Sequence, residues 1–145
     1  TKLTITGGGE FTINVRVPNW ASRGFSVKIN GRAQDVTAKP GEYLALKRTW
    51  KDKDAIELKM PFSFYLCPIM DQPNIASIFY GPVLLAVQET EALSTWRPVT
   101  LDAEDIGKSI TGDPSTLRFE TNGVKLKPFY ETSGRHSVYV DVTLK

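Results

Sequence analysis

Residues 11–17 read Phe11-Thr12-Ile13-Asn14-Val15-Arg16-Val17, and this stretch decides the fold. Apolar and polar side chains alternate along it, so an extended chain would have one apolar face and one polar face. Phe25 to Ile29 repeats the alternation and runs directly into Asn30-Gly31. Because both residues of an Asn-Gly pair accept a positive φ, this dipeptide predicts a two-residue β-hairpin.

The same period of two continues on both sides of a charged segment, Lys51–Asp54. Leu44 to Trp50 alternates before that segment and Ile56 to Met60 alternates after it, which predicts a second hairpin. Asn122-Gly123 marks a further hairpin in the last third of the chain. These signals are typical of short strands joined by tight turns.

The middle of the chain contains one stretch with a different pattern. Val83 to Val87 is apolar on both faces, which predicts a central strand covered on each side. After it, residues 88–116 lose their periodicity, and we expect an irregular excursion there with one helical turn over 101–106. Gly134 then precedes a last strand that includes Val140.

These segments predict an all-β fold of about nine or ten short strands: an antiparallel two-sheet β-sandwich of jelly-roll-like character. We expect a single domain over residues 1–145, with any subdomain seam within residues 88–100. The predicted inner faces consist of alternating apolar residues, namely Phe11, Ile13, Val15, Val27, Ile29, Leu44, Leu46, Ile56, Leu58, Leu84 and Val140.

Composition excludes several classes of function. The chain has 18 basic and 16 acidic residues, a net charge of +2, which is too small to indicate nucleic-acid binding. No stretch approaches the roughly 18 apolar residues of a membrane span. The chain opens on Thr1 to Thr4, already in strand rhythm and without methionine, so we expect a segment excised from a longer protein.

Cysteine and histidine offer little for catalysis or metal binding. Cys67 is the one cysteine, so no internal disulfide can form, and its apolar neighbours predict a buried structural thiol. His136 is the one histidine, and we expect it at the surface or at a strand edge. One cysteine and one histidine cannot fill a zinc site, and we predict no metal and no cofactor.

The acidic residues of the irregular segment are the candidates for catalytic groups. Glu89 and Glu91 would lie roughly 6.6 Å apart on an extended chain, within the spacing used by inverting glycosidases. Any such pair on a strand has that spacing, so a solvated edge is the favoured interpretation. Asp102, Glu104 and Asp105 match no calcium-loop pattern. We therefore predict no catalytic residue.

Carbohydrate contact is the binding function that the sequence leaves open. Trp96 lies in Ser94–Pro98, where an aromatic ring has no strand face to bury against. Such a ring either packs on a neighbouring loop or partner domain, or stacks on a sugar. Trp20 is the second candidate for carbohydrate contact, although Trp20 and Trp50 are both expected to cover an end of the core.

Several motifs carry a family resemblance. They are Arg16–Ala21, Val27–Gly31, Gly41–Leu44 with Arg48–Trp50, Ile75–Ala86, and Lys127–Tyr130 with Gly134-Arg135 and Val138-Tyr139. Together they resemble the C-terminal β-sandwich region of glycoside hydrolase family 127, the bacterial β-L-arabinofuranosidase type. The chain departs from the family pattern at Lys53, where glycine is usual, and at His136, where an aromatic residue is usual.

The resemblance implies a parent enzyme whose active site lies in an N-terminal (α/α)₆ barrel, with a cysteine nucleophile and zinc ligands there. Cys67 is in no matching motif, so that role is not carried over to it. The expected function is therefore that of a non-catalytic accessory domain, which packs on the catalytic barrel, stabilises it, and contributes to homodimer contacts or to the substrate entrance. The alternatives are a carbohydrate-binding module for plant-type glycans and an independent hydrolase that uses loop carboxylates.

Overall fold

Strands account for nearly all of the regular structure in the computed structural model, which describes residues 1–145 in full. The all-β prediction is confirmed. Contacts divide the chain between Phe62 and Ser63 into two compact units. Residues 88–100, where the sequence predicts any seam, lie inside the second unit. The prediction of one domain over residues 1–145 stays a prediction.

The first unit, residues 1–62, contains six strands. They are β1 (Lys2–Thr4), β2 (Gly9–Arg16), β3 (Ser26–Ile29), β4 (Arg32–Ala33), β5 (Tyr43–Trp50) and β6 (Ala55–Lys59).

These strands form two sheets, one with the order β1-β6-β3-β4 and one made of β2 and β5. Buried apolar side chains from both sheets form one core, so this unit is a small sandwich. Its buried members are Val15, Val27, Ile29, Leu46, Trp50, Ile56 and Leu58. The predicted Asn30-Gly31 turn joins β3 to β4 with φ values of 51° and 77°.

The predicted hairpin between residues 44–50 and 56–60 is wrong. β5 pairs with β2 along its whole length, whereas β6 pairs with β1 and β3. Segment 51–54 therefore crosses from one sheet to the other. Alternation shows which face of a strand is buried, but it does not show which strand lies beside it.

Asp54 holds this crossing in place. Its carboxylate accepts hydrogen bonds from the Lys51 backbone N–H at 2.9 Å and from Asn30 Nδ2 at 2.8 Å. The Lys51 hydrogen bond, followed by that from Asn30, lowers the pKa of Asp54 below its usual value. Because the folded-state pKa is depressed, the stability that these bonds supply is present above the unfolded-state pKa and is lost as the pH falls.

Lys53 has a left-handed backbone in the same crossing, with φ at 67°. This conformation strains an L-residue but not glycine, so Lys53→Gly is expected to raise the free energy of unfolding by about 0.5–1 kcal/mol. Urea denaturation followed by circular dichroism measures the change. Lys51→Gly is the matched control, because φ at Lys51 is not positive and glycine there is expected to lower stability. If Lys53→Gly is no more stable than the original chain, the strain is absent.

The second unit, residues 63–145, contains nine strands. They are β7 (Phe64–Ile69), β8 (Gln72–Tyr80), β9 (Val83–Gln88), β10 (Arg97–Leu101), β11 (Thr111–Asp113), β12 (Arg118–Thr121), β13 (Val124–Pro128), β14 (His136–Ser137) and β15 (Val140–Leu144). Two 3-10 segments, Ile106–Ser109 and Phe129–Glu131, complete it, and no helix here is long or apolar enough to cross a membrane. The predicted helical turn thus forms later than expected.

All nine strands join one sheet with the main order β10-β15-β8-β9-β13-β12-β11. β7 adds to β8, and β14 adds to β9. The predicted Asn122-Gly123 hairpin forms between β12 and β13. One pair departs from the antiparallel prediction, because β10 runs parallel to β15, with Arg97 beside Val140.

The core of the second unit draws side chains from β10, at one end of this sheet, through to β12, next to its other end, so the sheet wraps around it. Its buried members are Ala76, Ile78, Leu85, Val87, Val99, Leu101, Ile110, Phe119, Leu126, Val140 and Val142. The predicted inner residue Leu84 is only half-buried, and its neighbour Leu85 lies in the core instead.

Two further burial predictions are wrong. Phe11, predicted on an inner face, is 42% exposed near the start of β2, although its ring centre lies 6.0 Å from that of Trp50. Cys67, predicted to be a buried thiol, is exposed. It lies on β7, which pairs with β8 alone and is therefore an edge strand. Apolar neighbours in the sequence do not cover a residue that points outward from an edge.

Candidate functional site

An open groove in the second unit gathers polar side chains from four segments of the chain. Its volume is about 640 Å³, within the range of small-molecule sites. β8 contributes one wall, the segment after β9 another, and β14 and β15 the remainder. We call it the Trp96 groove, and its principal side chains are Asn74, Glu91, Trp96, Arg135, His136 and Asp141.

Trp96 is the aromatic surface of this groove. It directly precedes β10, and its indole remains 43% exposed. The ring of Tyr139 meets it edge to face, with centroids 5.7 Å apart and an interplanar angle of 70°. Tyr139 therefore holds the indole in position while a large part of the ring surface stays accessible.

Asn74 and Asp141 form a fixed polar pair in the groove. β8 and β15 are antiparallel neighbours with Ile75 opposite Asp141, which brings Asn74 close to the Asp141 carboxylate. Asn74 Nδ2 donates a hydrogen bond to Asp141 Oδ1 at 2.8 Å. The pair retains free acceptor oxygens, since each carboxylate oxygen accepts more than one hydrogen bond.

Arg135 and His136 enter the groove from a short segment that is fastened to β9. Gln88 Nε2 donates hydrogen bonds to the carbonyl oxygens of Ser133 and Arg135 at 2.7 and 2.6 Å. His136 is exposed, as predicted, and its Nδ1 lies 2.9 Å from the carbonyl oxygen of Gly134. The Phe129 ring packs edge to face on the imidazole, with centroids 5.3 Å apart.

Glu89 differs from the predicted solvated edge, because it is only 5% exposed. Its carboxylate accepts hydrogen bonds from Arg97 Nε at 3.0 and 3.2 Å and from an Arg97 terminal nitrogen at 2.6 Å. The Arg97 hydrogen bond lowers the pKa of Glu89, against the opposing effect of burial, and the hydroxyl of Ser137 lowers it further. Glu91 is exposed nearby. The two glutamates thus have different environments and only one faces free solvent.

This arrangement does not provide the acid of a glycosidase at Glu89. A glycosidase needs one carboxyl group that is protonated at the working pH, and therefore one with a raised pKa. Glu89 has a lowered pKa and stays ionised beside Arg97. The carboxylate of Asp102 is likewise engaged, since its Oδ1 accepts from the backbone N–H groups of Glu104 and Asp105. No group of three or more His, Cys, Asp or Glu side chains is arranged to hold a metal ion.

Trp20, the second candidate for carbohydrate contact, lies in the first unit. It is half-buried, and the ring of Phe62 meets it at 5.1 Å and 84°. Trp50 is 1% exposed and forms part of the core of its unit. Among the three tryptophans, Trp96 therefore offers the accessible ring.

A second groove of the same unit has a different chemical character. It lies along β12 and β13, and four of its side chains are cationic: Arg97, Arg118, Lys125 and Lys127. Two of these cations already have carboxylate partners, because Arg97 binds Glu89 and Arg118 binds Glu131. This surface provides an internal comparison for any test of charge preference.

Trp96 could be singled out from the sequence, and so could Glu91 and His136, whereas Asn74, Arg135 and Asp141 could not. Asn74 lies near the start of β8, and no motif of the sequence includes it. Arg135 appears only in the Gly134-Arg135 motif of the family resemblance, which gives it no binding role, and Asp141 lies in no motif. Tertiary pairing brings these residues together from segments more than 30 positions apart in places, and no local pattern in one sequence could have joined them.

Part of the chain is similar in sequence to a known protein family. Residues 1–62 match the family model of the GH127 middle domain of β-L-arabinofuranosidase. Since that model describes a middle domain, the predicted C-terminal placement is not confirmed. A search of curated proteins gave no match.

Three solved structures are similar in fold over nearly the whole chain. A glycoside hydrolase aligns with a TM-score of 0.71 at 17% identity, covering 98% of this chain and 30% of its own. A GH127 β-L-arabinofuranosidase from Geobacillus stearothermophilus T6 aligns at 0.70 and 19%, covering 98% and 28%. A GH127 β-arabinofuranosidase aligns at 0.69 and 17%, covering 98% and 29%.

The chain thus spans about 30% of the length of the solved structures that it matches. Residues 1–62 are similar in sequence to a GH127 middle domain, and residues 1–145 have a fold found within glycoside hydrolases of this kind.

Proposed function

We propose that this chain is a non-catalytic β-domain of a GH127-type glycoside hydrolase, and that it packs on and stabilises an (α/α)₆ barrel that carries the active site. The observation that supports this most is the structural alignment. It covers 98% of this chain but only 30% of the glycoside hydrolase with which it aligns. The remaining length of such an enzyme would contain the active site, and this chain would stabilise the domain that carries it.

The state of the carboxylates agrees with a non-catalytic role. Glu89 is held as an anion by Arg97, and Asp54 is held by Lys51 and Asn30 in the first unit. These acids stabilise the fold through their hydrogen bonds and are not free to transfer a proton to or from a substrate.

The first test is an activity assay of the chain by itself. We expect no release of nitrophenol from 4-nitrophenyl β-L-arabinofuranoside, in the presence or absence of added zinc. Release that disappears in Glu91→Gln would contradict the proposal and favour the independent hydrolase, because Glu91 is the exposed acid of the Trp96 groove.

The second test uses the gene product that contains this chain. The proposal expects the same reading frame to encode a helix-rich barrel, and it expects deletion of residues 1–145 to lower the melting temperature or the soluble yield of that barrel. Adding the separately produced chain should restore part of the stability. A reading frame without a barrel, or a barrel whose melting temperature is unchanged by the deletion, would contradict the supporting role. The same material tests homodimer contacts, which would appear as a loss of dimer mass in light scattering after the deletion.

Carbohydrate binding is the second candidate function, and the exposure of Trp96 favours it. A half-exposed indole fixed by Tyr139 and surrounded by hydrogen-bonding groups is typical of a sugar contact. Trp20 is a weaker candidate because Phe62 packs against it. Supporting a barrel and binding a sugar are compatible roles for one domain.

A further inference from the structure

We infer that the Trp96 groove binds a neutral oligosaccharide, with one sugar ring on the indole of Trp96 and its hydroxyl groups on Asn74, Asp141 and Arg135. This inference deepens the second candidate function and rests on it. It does not depend on the barrel-supporting role.

The aromatic surface is already held in a binding position. The rings of Tyr139 and Trp96 pack edge to face, so a ligand that stacks on the indole would not have to order that ring first. Ordering a side chain on binding costs free energy, and a ring that is fixed in advance avoids that cost. The C–H groups on one face of a sugar ring pack well on such an apolar surface.

The polar groups supply both donors and acceptors. Asn74 and Asp141 are joined by a hydrogen bond of 2.8 Å, which sets the direction of their remaining oxygens. Arg135 adds donors only, and His136 adds a ring nitrogen. Sugar hydroxyl groups both donate and accept, so a mixed set of this kind suits them better than a purely cationic or purely anionic set.

The charge balance of the groove favours a neutral ligand. Glu91 and Asp141 bring two negative charges and Arg135 brings one positive charge, whereas the charge of Glu89 is compensated by Arg97. This sums to −1, which gives no attraction for a phosphate, a nucleic acid or a polyuronate. In the groove along β12 and β13, Lys125 and Lys127 face one acid, Glu120, while Arg97 and Arg118 are compensated, so that groove sums to +1 and is the surface that such anions would prefer.

The experiment is an NMR titration of the ¹⁵N-labelled chain with arabinotriose, cellotriose and trigalacturonate. The chain has three tryptophans, so its indole N–H signals report three environments at once. We expect saturable shifts of the Trp96 indole with at least one neutral trisaccharide, and no shift of the Trp50 indole, which is buried. Trigalacturonate should move the backbone signals of Lys125 and Lys127 instead.

Three variants identify the site. Trp96→Ala is expected to weaken binding of the neutral trisaccharide about tenfold or more, as loss of a stacking aromatic does. Asn74→Ala is expected to weaken it severalfold and to leave the Trp96 ring in place. Tyr43→Ala is the matched control, since this aromatic is 63% exposed but lies in the first unit, and its affinity should equal that of the original chain.

The outcomes distinguish two claims: that the chain binds carbohydrate, and that the Trp96 groove is where it binds. If the affinity for a neutral trisaccharide is unchanged in both Trp96→Ala and Asn74→Ala, the chain binds carbohydrate but not in the Trp96 groove, and the inference is overturned. No saturable shift with any of the three trisaccharides would overturn both. Trp96 shifts with trigalacturonate alone would overturn the inference of a neutral ligand and leave carbohydrate binding standing. If Trp96→Ala loses its dispersed spectrum, Asn74→Ala decides, because Asn74 is exposed and its truncation leaves the core intact.

Discussion

Replacing Trp50 by alanine is expected to lower the free energy of unfolding by about 3–5 kcal/mol, the usual cost of removing a large aromatic side chain from a core. Trp50 is 1% exposed and belongs to the core of the first unit. Its Nε1–H donates a hydrogen bond to the Phe11 carbonyl oxygen at 3.0 Å, and the Arg48 guanidinium lies 5.1 Å from its ring centre. Alanine would leave a cavity and remove all of these contacts.

Urea denaturation followed by circular dichroism measures this loss, and two variants interpret it. Trp50→Phe keeps most of the apolar volume but lacks the donor for Phe11, so its loss should lie well below that of alanine. Tyr43→Ala removes an aromatic from the same strand, but the side chain is 63% exposed, and its effect should stay within about 1 kcal/mol. Equal effects of Trp50→Ala and Tyr43→Ala would show that Trp50 is not a core residue in solution.

Features that depend on neighbouring residues could be predicted from the sequence. The two Asn-Gly turns formed because the backbone preference lies within the dipeptide itself. Alternation also identified buried positions such as Val27 and Ile56, because a strand that covers a core must turn every second residue inward.

Features that depend on tertiary pairing could not be predicted in this way. The segment 51–54 looks like a hairpin loop, yet its strands belong to different sheets. The decisive interaction there is between Asp54 and Asn30, which are 24 positions apart. The exposure of Cys67 could not be predicted for the same reason, because whether an apolar strand has one neighbour or two is a property of the whole sheet.

The candidate site shows the same division. The missing strand face around Trp96 was visible in the sequence, and the ring is indeed accessible. Its polar partners depend on the register between β8 and β15 and on the position of β14, which no local pattern encodes. The burial of Glu89 depends on the distant strands that cover it, so the sequence suggested only two nearby acids.

Replacing Arg97 by methionine is expected to lower the free energy of unfolding by about 2–4 kcal/mol, because Glu89 would remain as a buried charge without its partner. The Glu89 side chain is 2% exposed, whereas that of Arg97 is 39% exposed, so the loss should fall toward the lower part of the range for fully buried pairs. Methionine keeps much of the length of the aliphatic part of arginine, so the variant reports the effect of removing the positive charge. Glu89→Leu combined with Arg97→Met should recover much of the loss, because both charges are then gone.

Arg118→Met is the matched control, since Arg118 also binds a glutamate, Glu131, but both side chains of that pair are well exposed. An exposed pair of this kind contributes about 0–1 kcal/mol, so the two arginines should differ clearly in urea denaturation at pH 7.

The pH dependence of stability gives an independent measure of the Glu89–Arg97 pair. Arg97 lowers the pKa of Glu89 below its usual value of about 4.5, so the pair stabilises the fold above that pH and loses its effect as the pH falls through the folded-state pKa. The gap between the original chain and Arg97→Met should therefore be full near pH 7 and narrow below about pH 4.5, as Glu89 takes up a proton. A gap that stays constant down to pH 2, or one no larger than that of Arg118→Met, would mean that the Glu89–Arg97 pair does not hold the end of β9 to the start of β10.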